Sequence, residues 1–481
     1  MEKPLRFIRA ASGVHVVAVM THPMPCPGRC TFCPTARDAP KSYLSDSPVV
    51  LRAKRSGYDP YLQTAGRVKV YLENGHVPSK VEVVVMGGTF SALPRGYREW
   101  FVANVYKALN DYPNWAAKAA ESPSLEFEQL RNEAALLRMV ALAVETRPDY
   151  VDEGEVDFLL QLGVTRVELG VQSIYDDVLA KVKRGHGARE AAEATALLKD
   201  AAYKVCYHLM PGLPGSDPDR DLEMFKTVFS DPAYMPDCVK IYPLYVVPGT
   251  ELYEQWRRGG YKSYDEETWL ELLAKIYASV PRWARVMRLG RDIPLHHVVD
   301  GPRWGNMRQV VLKKMAEVGL PCVEIRCREV GVKLANGAPV EPGPIEIKRA
   351  VYEASGGVEV FLEAVGPDDT LYGILRLRMP HAPRRPELSR RTALVRELHV
   401  YGPAVPVGER GIWWQHMGIG RRLMAAAEEV AREFGARKVA VISGVGAREY
   451  YRKLGYERCG PYMCKPLEKP LGHADEELIT V

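Results

Sequence analysis

Three cysteines lie within eight residues of one another near the start of the chain, in the run Cys26-Pro-Gly-Arg-Cys30-Thr-Phe-Cys33-Pro. A C-x3-C-x2-C spacing lets one tight loop bring three thiolates to a single inorganic centre, and iron–sulfur clusters take cysteine thiolates as their ligands. A four-iron cluster held by three cysteines keeps one iron without a protein ligand, free to bind a small molecule. The competing reading is three structural cysteines, or a zinc knuckle short of one ligand. Zinc would want a fourth Cys or His, which His22 could supply. The cluster is favoured because residues downstream fit the same chemistry.

An iron left open in this way can bind and cleave S-adenosylmethionine, and the C-x3-C-x2-C spacing is the signature of radical SAM enzymes, which the chain therefore resembles. In that class a glycine pair at the end of the second strand meets the methionine end of S-adenosylmethionine. Met86-Gly87-Gly88-Thr89 has that place here, although two glycines alone are most often a mere turn. Glu145-Thr-Arg147-Pro-Asp149 ends the next strand. A carboxylate there can accept from ribose hydroxyls; the plainer alternative is a strand-end salt bridge. Glu168 and Gln172 point the same way with less force, and Arg184 and His186 are either substrate contacts or solvated residues.

These residues need a scaffold, and the hydrophobic pattern supplies one. Strand-like runs at Val14–Thr21, Lys80–Gly88, Arg138–Thr146, Arg166–Ser173, Lys204–Pro211 and Cys238–Val247 alternate with helical patterns. Near-continuous apolar runs suit parallel strands buried on both faces. Six such units predict an α/β fold, a partial or full (β/α) barrel, whose chemistry sits at the carboxyl ends of the strands. The domain division expected is a barrel domain over residues 14–295, a linker region over 296–345 ending in the Pro/Gly-rich stretch 336–344, and a shorter α/β domain over 346–468.

The last domain carries Gln415-His-Met-Gly418-Ile419-Gly420 ahead of a predicted helix. Q-x-x-G-x-G at the start of a helix resembles the pyrophosphate loop of GNAT-type acyltransferases, whose backbone N–H groups and helix field favour an anion. Arg421 and Arg422 follow and could pair with phosphate oxygens. Tyr450 and Tyr451 come after the run Ser443-Gly-Val-Gly446; one of them could meet the thiol end of the coenzyme, and the other is expected to be plain packing. The pairs Cys322/Cys327 and Cys459/Cys464 could together bind one structural zinc, against the alternative of buried free thiols; Cys206 and Cys238 read as core.

Composition narrows the class without naming it. The 481 residues are too many for one ordinary core, and 47% hydrophobic with 26% charged residues is the balance of a soluble globular protein. A net charge of +5 permits nucleic acid without arguing for it, so any basic footprint is local. Two candidates are Arg52, Lys54 and Arg55 with Tyr58 and Tyr61, and the series Arg282, Arg285, Arg288, Arg291 with Trp283. Either is a phosphate-binding face or an ordinary solvated one. Nine cysteines suggest metal work in a reducing compartment rather than a disulfide framework. No secretory signal and no apolar run long enough to span a bilayer is read, so a cytoplasmic protein with no membrane partner is expected.

Taken together, the strings Met86 to Phe90, Val144 to Tyr150, Glu168 to Ser173, Lys240 to Pro243, Arg396 to Gly402 and Val441 to Gly446 are similar to the catalytic subunit of Elongator, in its single-subunit archaeal or bacterial form. The resemblance runs from about Val14 to Lys465. It implies a tRNA-modifying enzyme that uses a [4Fe-4S] cluster, S-adenosylmethionine and acetyl-CoA to carboxymethylate C5 of the wobble uridine, giving 5-carboxymethyluridine. It implies Cys26, Cys30 and Cys33 as cluster ligands, and Gly87, Gly88, Glu145 and Glu168 near S-adenosylmethionine. Lys80, Glu397, Leu398, His399, Val400, Gln415, Gly418, Ile419, Gly420 and Tyr450 match coenzyme contacts, with Lys80 and Tyr450 counted as catalytic. The cysteine spacing is shorter than is usual for the family, and only thirteen residues precede Val14, where relatives carry a basic extension that helps grip tRNA. The partner implied is the tRNA anticodon loop, its base flipped into a pocket between the two domains, with the chain acting alone or as a homo-oligomer. The alternatives are a protein lysine acetyltransferase with a structural cluster, and a non-enzymatic tRNA-binding scaffold.

Overall fold

The computed structural model describes residues 13–338, 340, 343–402 and 418–467. Seven parallel strands form the first sheet in the order of the chain: β1 (His15–Met20), β2 (Lys80–Met86), β3 (Arg138–Thr146), β4 (Arg166–Gln172), β5 (Lys204–Leu209), β6 (Cys238–Ile241) and β7 (Arg285–Leu289). Neither outer strand pairs with the other, so the sheet is an open, partial barrel. Helices cover its outer face. That face is apolar, with Val81, Val83, Val85, Val167, Leu169 and Val205 buried against them. The inner face alternates with it and is charged, carrying Glu82, Arg166, Glu168 and Lys240.

The seventh strand lies inside the arginine series. Its arginines are occupied within the fold: Arg282 by Glu363 and Asp369, Arg285 by Glu329, Arg288 by Asp292. Trp283 stacks on Tyr352 with ring centroids 4.6 Å apart. These pairs give the series a structural task, and of its members Arg291 lines the candidate site. In the other basic group, Lys54 pairs with Asp38, Tyr58 Oη donates to the Asp38 carbonyl and Tyr61 Oη donates to Asp111.

The second sheet has seven strands: β8 (Glu346–Ala354), β9 (Gly357–Val365), β10 (Leu371–Met379), β11 (Thr392–Val400), β12 (Lys438–Val441), β13 (Glu457–Cys459) and β14 (Tyr462–Pro466), ordered 13-14-12-11-10-9-8. Its one parallel pair, β11 with β12, is in register only from Thr392/Lys438 to Val395/Val441, after which the strands part. The helix Ile419–Glu433 packs on this sheet through Leu423, Met424, Ala427 and Val430.

The four cysteines expected to share a zinc do not form that site. Cys322 is bonded to Cys327 and Cys459 to Cys464 as two separate disulfides. Each pair closes its own short turn, and a sulfur already bonded to sulfur has no thiolate to offer a metal. Both bonds are local, and the other five cysteines are free. Cys206 and Cys238 are fully buried and face each other across β5 and β6, as core residues do. Among the described residues no helix is long and apolar enough to cross a membrane.

Candidate functional site

The loop after β1 brings Cys26, Cys30 and Cys33 to the carboxyl ends of the strands, where they line a cavity of about 110 Å³. The thiols face a shared space. The Gly28 N–H donates to Cys26 Sγ at 3.4 Å, and Arg184 Nη1 donates to Cys30 Sγ at 3.4 Å. A hydrogen bond from Cys33, then the Arg184 and Arg147 charges, hold the Cys30 thiol down at about 5 in spite of its burial. At Gly28 a Cβ would lie 2.7 Å from Arg147 Nη1, so that guanidinium would have to shift, and it would fill the space 3.6 and 3.7 Å from Cys26 and Cys30 Sγ. The residues thus fit an iron–sulfur cluster: three thiols from one loop, a cradle a methyl group would fill, and two guanidinium groups suited to an anionic centre.

The rest of the cavity fits a polar, partly anionic ligand. Gly87 has φ +135° and would place a Cβ 2.0 Å from Thr21 Oγ1, so a side chain there is excluded twice over. Gly88, Thr89, Glu145, Gln172, Met210 and Tyr242 line the wall. Thr21 Oγ1, Thr146 Oγ1, Arg147 Nη1, Gln172 Oε1 and Arg291 Nη1 are buried with no hydrogen-bond partner. All of these but Thr21 line the cavity, and since buried polar atoms in a folded protein are nearly always satisfied, four orphans at one cavity point to a ligand. Glu145 accepts from Lys240 Nζ at 3.2 Å and from Tyr43 Oη at 3.3 Å. Arg147 and Asp149 form the two-bond salt bridge that sequence reading kept as an alternative, at 2.9 and 2.7 Å. His186 is not solvated; burial, and then Arg184, lower it to about 4.

Glu168 sits one layer deeper than the cavity wall. It is fully buried and is shared by Lys240, by His208 at 2.9 Å and by Arg166 at 3.1 Å. Arg166 also pairs with Glu82, and Lys204, beside it, pairs with Glu397 of β11. A column of charges therefore fills the barrel from the second domain to the cysteine cavity. Strands of six or seven residues make that column roughly 20 Å long. Arg291, Tyr43, Ser42, His208 and Tyr242 line the cavity without having been marked as site residues by the sequence; Tyr43, Ser42 and His208 belong to no local motif, Tyr242 lies in the string Lys240 to Pro243, and Arg291 looks like one member of a charge run.

The second candidate site is the wedge where β11 and β12 part. The helix Ile419–Glu433 begins there, with Gly420 close to Tyr450 Oη and to Val400; a Cβ on it would lie 2.7 and 3.6 Å away. Burial pushes the Tyr450 phenol up to about 12, so its proton stays on near neutral pH. Tyr451 is buried packing, as expected for one of the pair. Lys80, at the start of β2, is depressed by burial and has no carboxylate partner among the described residues. Glu397 is committed to Lys204 and to Arg376 Nε at 2.8 Å, which keep it strongly acidic against burial. Leu398, His399 and Val400 continue the strand past the parting, and His399 stacks on Tyr401 at 4.5 Å. Arg422 donates to the Ile345 carbonyl at 2.7 Å rather than pointing into the wedge. Gln415 lies outside the described residues.

Buried ion pairs weld the two domains. Arg396 bonds Asp237 and Glu359 and donates to the Tyr203 carbonyl, while Arg378 bonds Asp200 and Glu359. Gly444 lies so close to β3 that a Cβ would fall 2.0 Å from the Val140 carbonyl oxygen. The second domain thus docks on the amino ends of the barrel strands, opposite the cysteines, and among the described residues the cysteine cavity is lined by those of the first domain.

An open parallel barrel with a three-cysteine loop, joined to an acyltransferase-like sheet, defines a class in which both chemistries share one chain. Residues 22–228 match the Radical SAM superfamily, 236–317 the Radical_SAM C-terminal domain and 413–456 the acetyltransferase (GNAT) family. The chain is 48% identical to the tRNA uridine(34) acetyltransferase of Methanocaldococcus infernus, over 97% of this chain and 87% of that one. It is 45% identical to the protein of that name from Dehalococcoides mccartyi, over 96% and 99%, and 44% identical to human Elongator complex protein 3, over 96% and 85%. The solved structure of M. infernus Elp3 lacking its N-terminus superimposes with a TM-score of 0.83 at 45% identity, covering 95% of this chain and all of that one. The chain belongs to the Elongator complex protein 3, or tRNA uridine(34) acetyltransferase, family.

Proposed function

We propose that the protein modifies uridine 34 of tRNA, adding a carboxymethyl group at C5 with acetyl-CoA as the carbon source, and that it works in the cytoplasm with tRNA as its partner. The observation that supports this most is that one chain carries both a three-thiol cavity and a glycine-opened helix at a strand parting, and is 48% identical over 97% of its length to a protein named tRNA uridine(34) acetyltransferase. In this reading the chain divides into residues 14–295, 296–345 and 346–468. Cys26, Cys30 and Cys33 hold a [4Fe-4S] cluster. Bound there with S-adenosylmethionine, that group supplies reductive cleavage and hydrogen-atom abstraction.

The chain's own residues do the rest. Arg147 and Arg184 offset the negative charge of the thiolates. Gly87 and Gly88 let the backbone approach the methionine end of S-adenosylmethionine, and Glu145 accepts from its hydroxyls. Gly418, Ile419 and Gly420 with the helix start receive the pyrophosphate, and Gln415 belongs to the same loop. Glu397, Leu398, His399 and Val400 form the strand beside the coenzyme. Lys80 approaches the thioester, and Tyr450 Oη keeps a proton to give to the coenzyme sulfur. Glu168 acts by holding Lys240 and His208 beneath the cavity. The uridine enters at the carboxyl edge of the barrel rather than between the domains.

The test is nucleoside mass spectrometry after anaerobic incubation of cluster-loaded protein with tRNA, S-adenosylmethionine, acetyl-CoA and a reductant. 5-Carboxymethyluridine is expected from the wild type and not from Cys30→Ser. Its absence from a wild-type reaction that does release 5′-deoxyadenosine would overturn the reading.

A further inference from the structure

The two outer strands of the partial barrel leave a seam, and the segments that follow them meet across it. Ser47 Oγ, in the connection after β1, donates to the Asp292 carbonyl at 3.0 Å, and Arg291 Nη2, just after β7, donates to Ser42 Oγ at 2.9 Å. Beside these contacts a third has a different character. Pro294 opens the single turn Leu295–His297, and both histidines of that turn aim Nε2 at one oxygen, Asp46 Oδ2, at 2.8 and 2.9 Å. Their rings lie 4.2 Å apart. The three candidate ligand atoms all fall within 4.8 Å of one another.

Consecutive residues on a turn ordinarily point apart. Two imidazoles drawn onto one carboxylate oxygen form half of a coordination shell. Imidazole nitrogen suits zinc, iron, nickel and copper, and three protein ligands leave zinc its usual open position for water. The exposure of His296, 67% of its side chain, gives a cation a way in and keeps that position wet. The cysteine cavity is nearby, because Ser42, Tyr43 and Arg291 belong to the same two segments and line it.

We propose that Asp46, His296 and His297 bind one divalent cation of the zinc type, which pins the segment after β1 to the segment after β7 across the open seam. The ion is separate from the cluster and takes no part in the reaction. Its effect is to stiffen the wall of the cavity that carries Ser42, Tyr43 and Arg291.

The test uses full-length protein with its cluster loaded, so that the cysteine loop is occupied, stripped of other metal over a chelating resin and titrated with Co2+ alone. Wild type is expected to develop a cobalt d–d absorption that saturates at one equivalent and is displaced by Zn2+. The double variant His296→Gln, His297→Gln, shown to be folded by an unchanged cluster spectrum and thermal midpoint, should lose at least the 10- to 100-fold in affinity that even an outer-shell change costs a metal site. Asp46→Asn, which keeps the side-chain shape, should weaken binding likewise and stands in should the double variant not fold. Hydrogen exchange over residues 41–47 and 291–299 should slow on adding Zn2+ to wild type only. No cobalt band, or the same band and stoichiometry in the variants, sinks the proposal: the triad is then an ion pair, or the metal sits elsewhere.

Discussion

The two ends of the parallel barrel use the same residue types to opposite effect. At the carboxyl ends, Arg147 and Arg291 each keep a buried nitrogen without a partner, as Thr21, Thr146 and Gln172 keep oxygens. At the amino ends, Arg396 and Arg378 are saturated by Asp237, Glu359 and Asp200. The amino ends keep a few unpartnered atoms of their own, Arg376 Nη1 and Arg448 Nε among them, but there each guanidinium is also held by a carboxylate of the other domain. The difference is what surrounds the orphans: an open cavity at the first end, and opposite charge packed against them at the second.

The comparison can be broken most sharply at the cysteines. Cys30→Ser should reduce 5′-deoxyadenosine release to background and remove iron from the purified protein, while the chemical denaturation midpoint of the cluster-free chain hardly moves. Loss of fold instead would mean that the carboxyl end is structural after all. The amino end should behave in reverse. Asp237→Ala takes one of its two carboxylates from buried Arg396, leaving Glu359 and the Tyr203 carbonyl. With the pair half broken the cost should be about 2–3 kcal/mol, below the roughly 3–5 kcal/mol of a wholly uncompensated charge, and urea unfolding should register it even with the cluster absent. A change below about 1 kcal/mol would show that the interface is hydrated and not welded.

Acid should also act at the amino end. His15, at the start of β1, is buried, and desolvation, then the neighbouring His76, lowers it to about 4 from an ordinary 6.5. The unfolded chain takes up that proton first, so the contribution of His15 to stability is constant above pH 6.5 and falls as pH drops toward 4. That difference is worth on the order of 3 kcal/mol. His15→Phe should flatten that part of the pH–stability curve, measured by denaturant midpoints from pH 4 to 7. The smallest effect expected is at Lys80, which stands between the ends in function: Lys80→Met should slow coenzyme hydrolysis about 10- to 100-fold, the loss of one charged hydrogen bond, and spare S-adenosylmethionine cleavage assayed without acetyl-CoA.

Much of this was legible along the chain, and the reasons for the failures are physical. The first six strands show because each ends in a turn or glycine signal. The seventh hides because Arg285 and Arg288 break its apolar pattern, and both are neutralised by partners distant in sequence or four residues on. The arginine series looked like a nucleic-acid face for the same reason: a charge announces itself in sequence, and its counter-ion does not. Glu168 was placed beside a ligand because its strand ends there, yet Lys240 and His208 draw it into the barrel. The two cysteine pairs were read as one set, since spacing alone says nothing about which sulfurs meet.

What the sequence determined by itself is what short spacing can encode: a three-thiol loop, glycines where backbone must come close, and a glycine turn opening a helix. Those chemistries follow from neighbours in the chain. Only the tertiary structure decided that the two sites face opposite ends of one barrel, that a column of ion pairs lies between them, and that Asp46 meets His296 and His297 across a seam 250 residues wide in sequence. Such pairings depend on how strands order and twist, and burial, which sets the strength of every charge in them, exists only once the chain has folded.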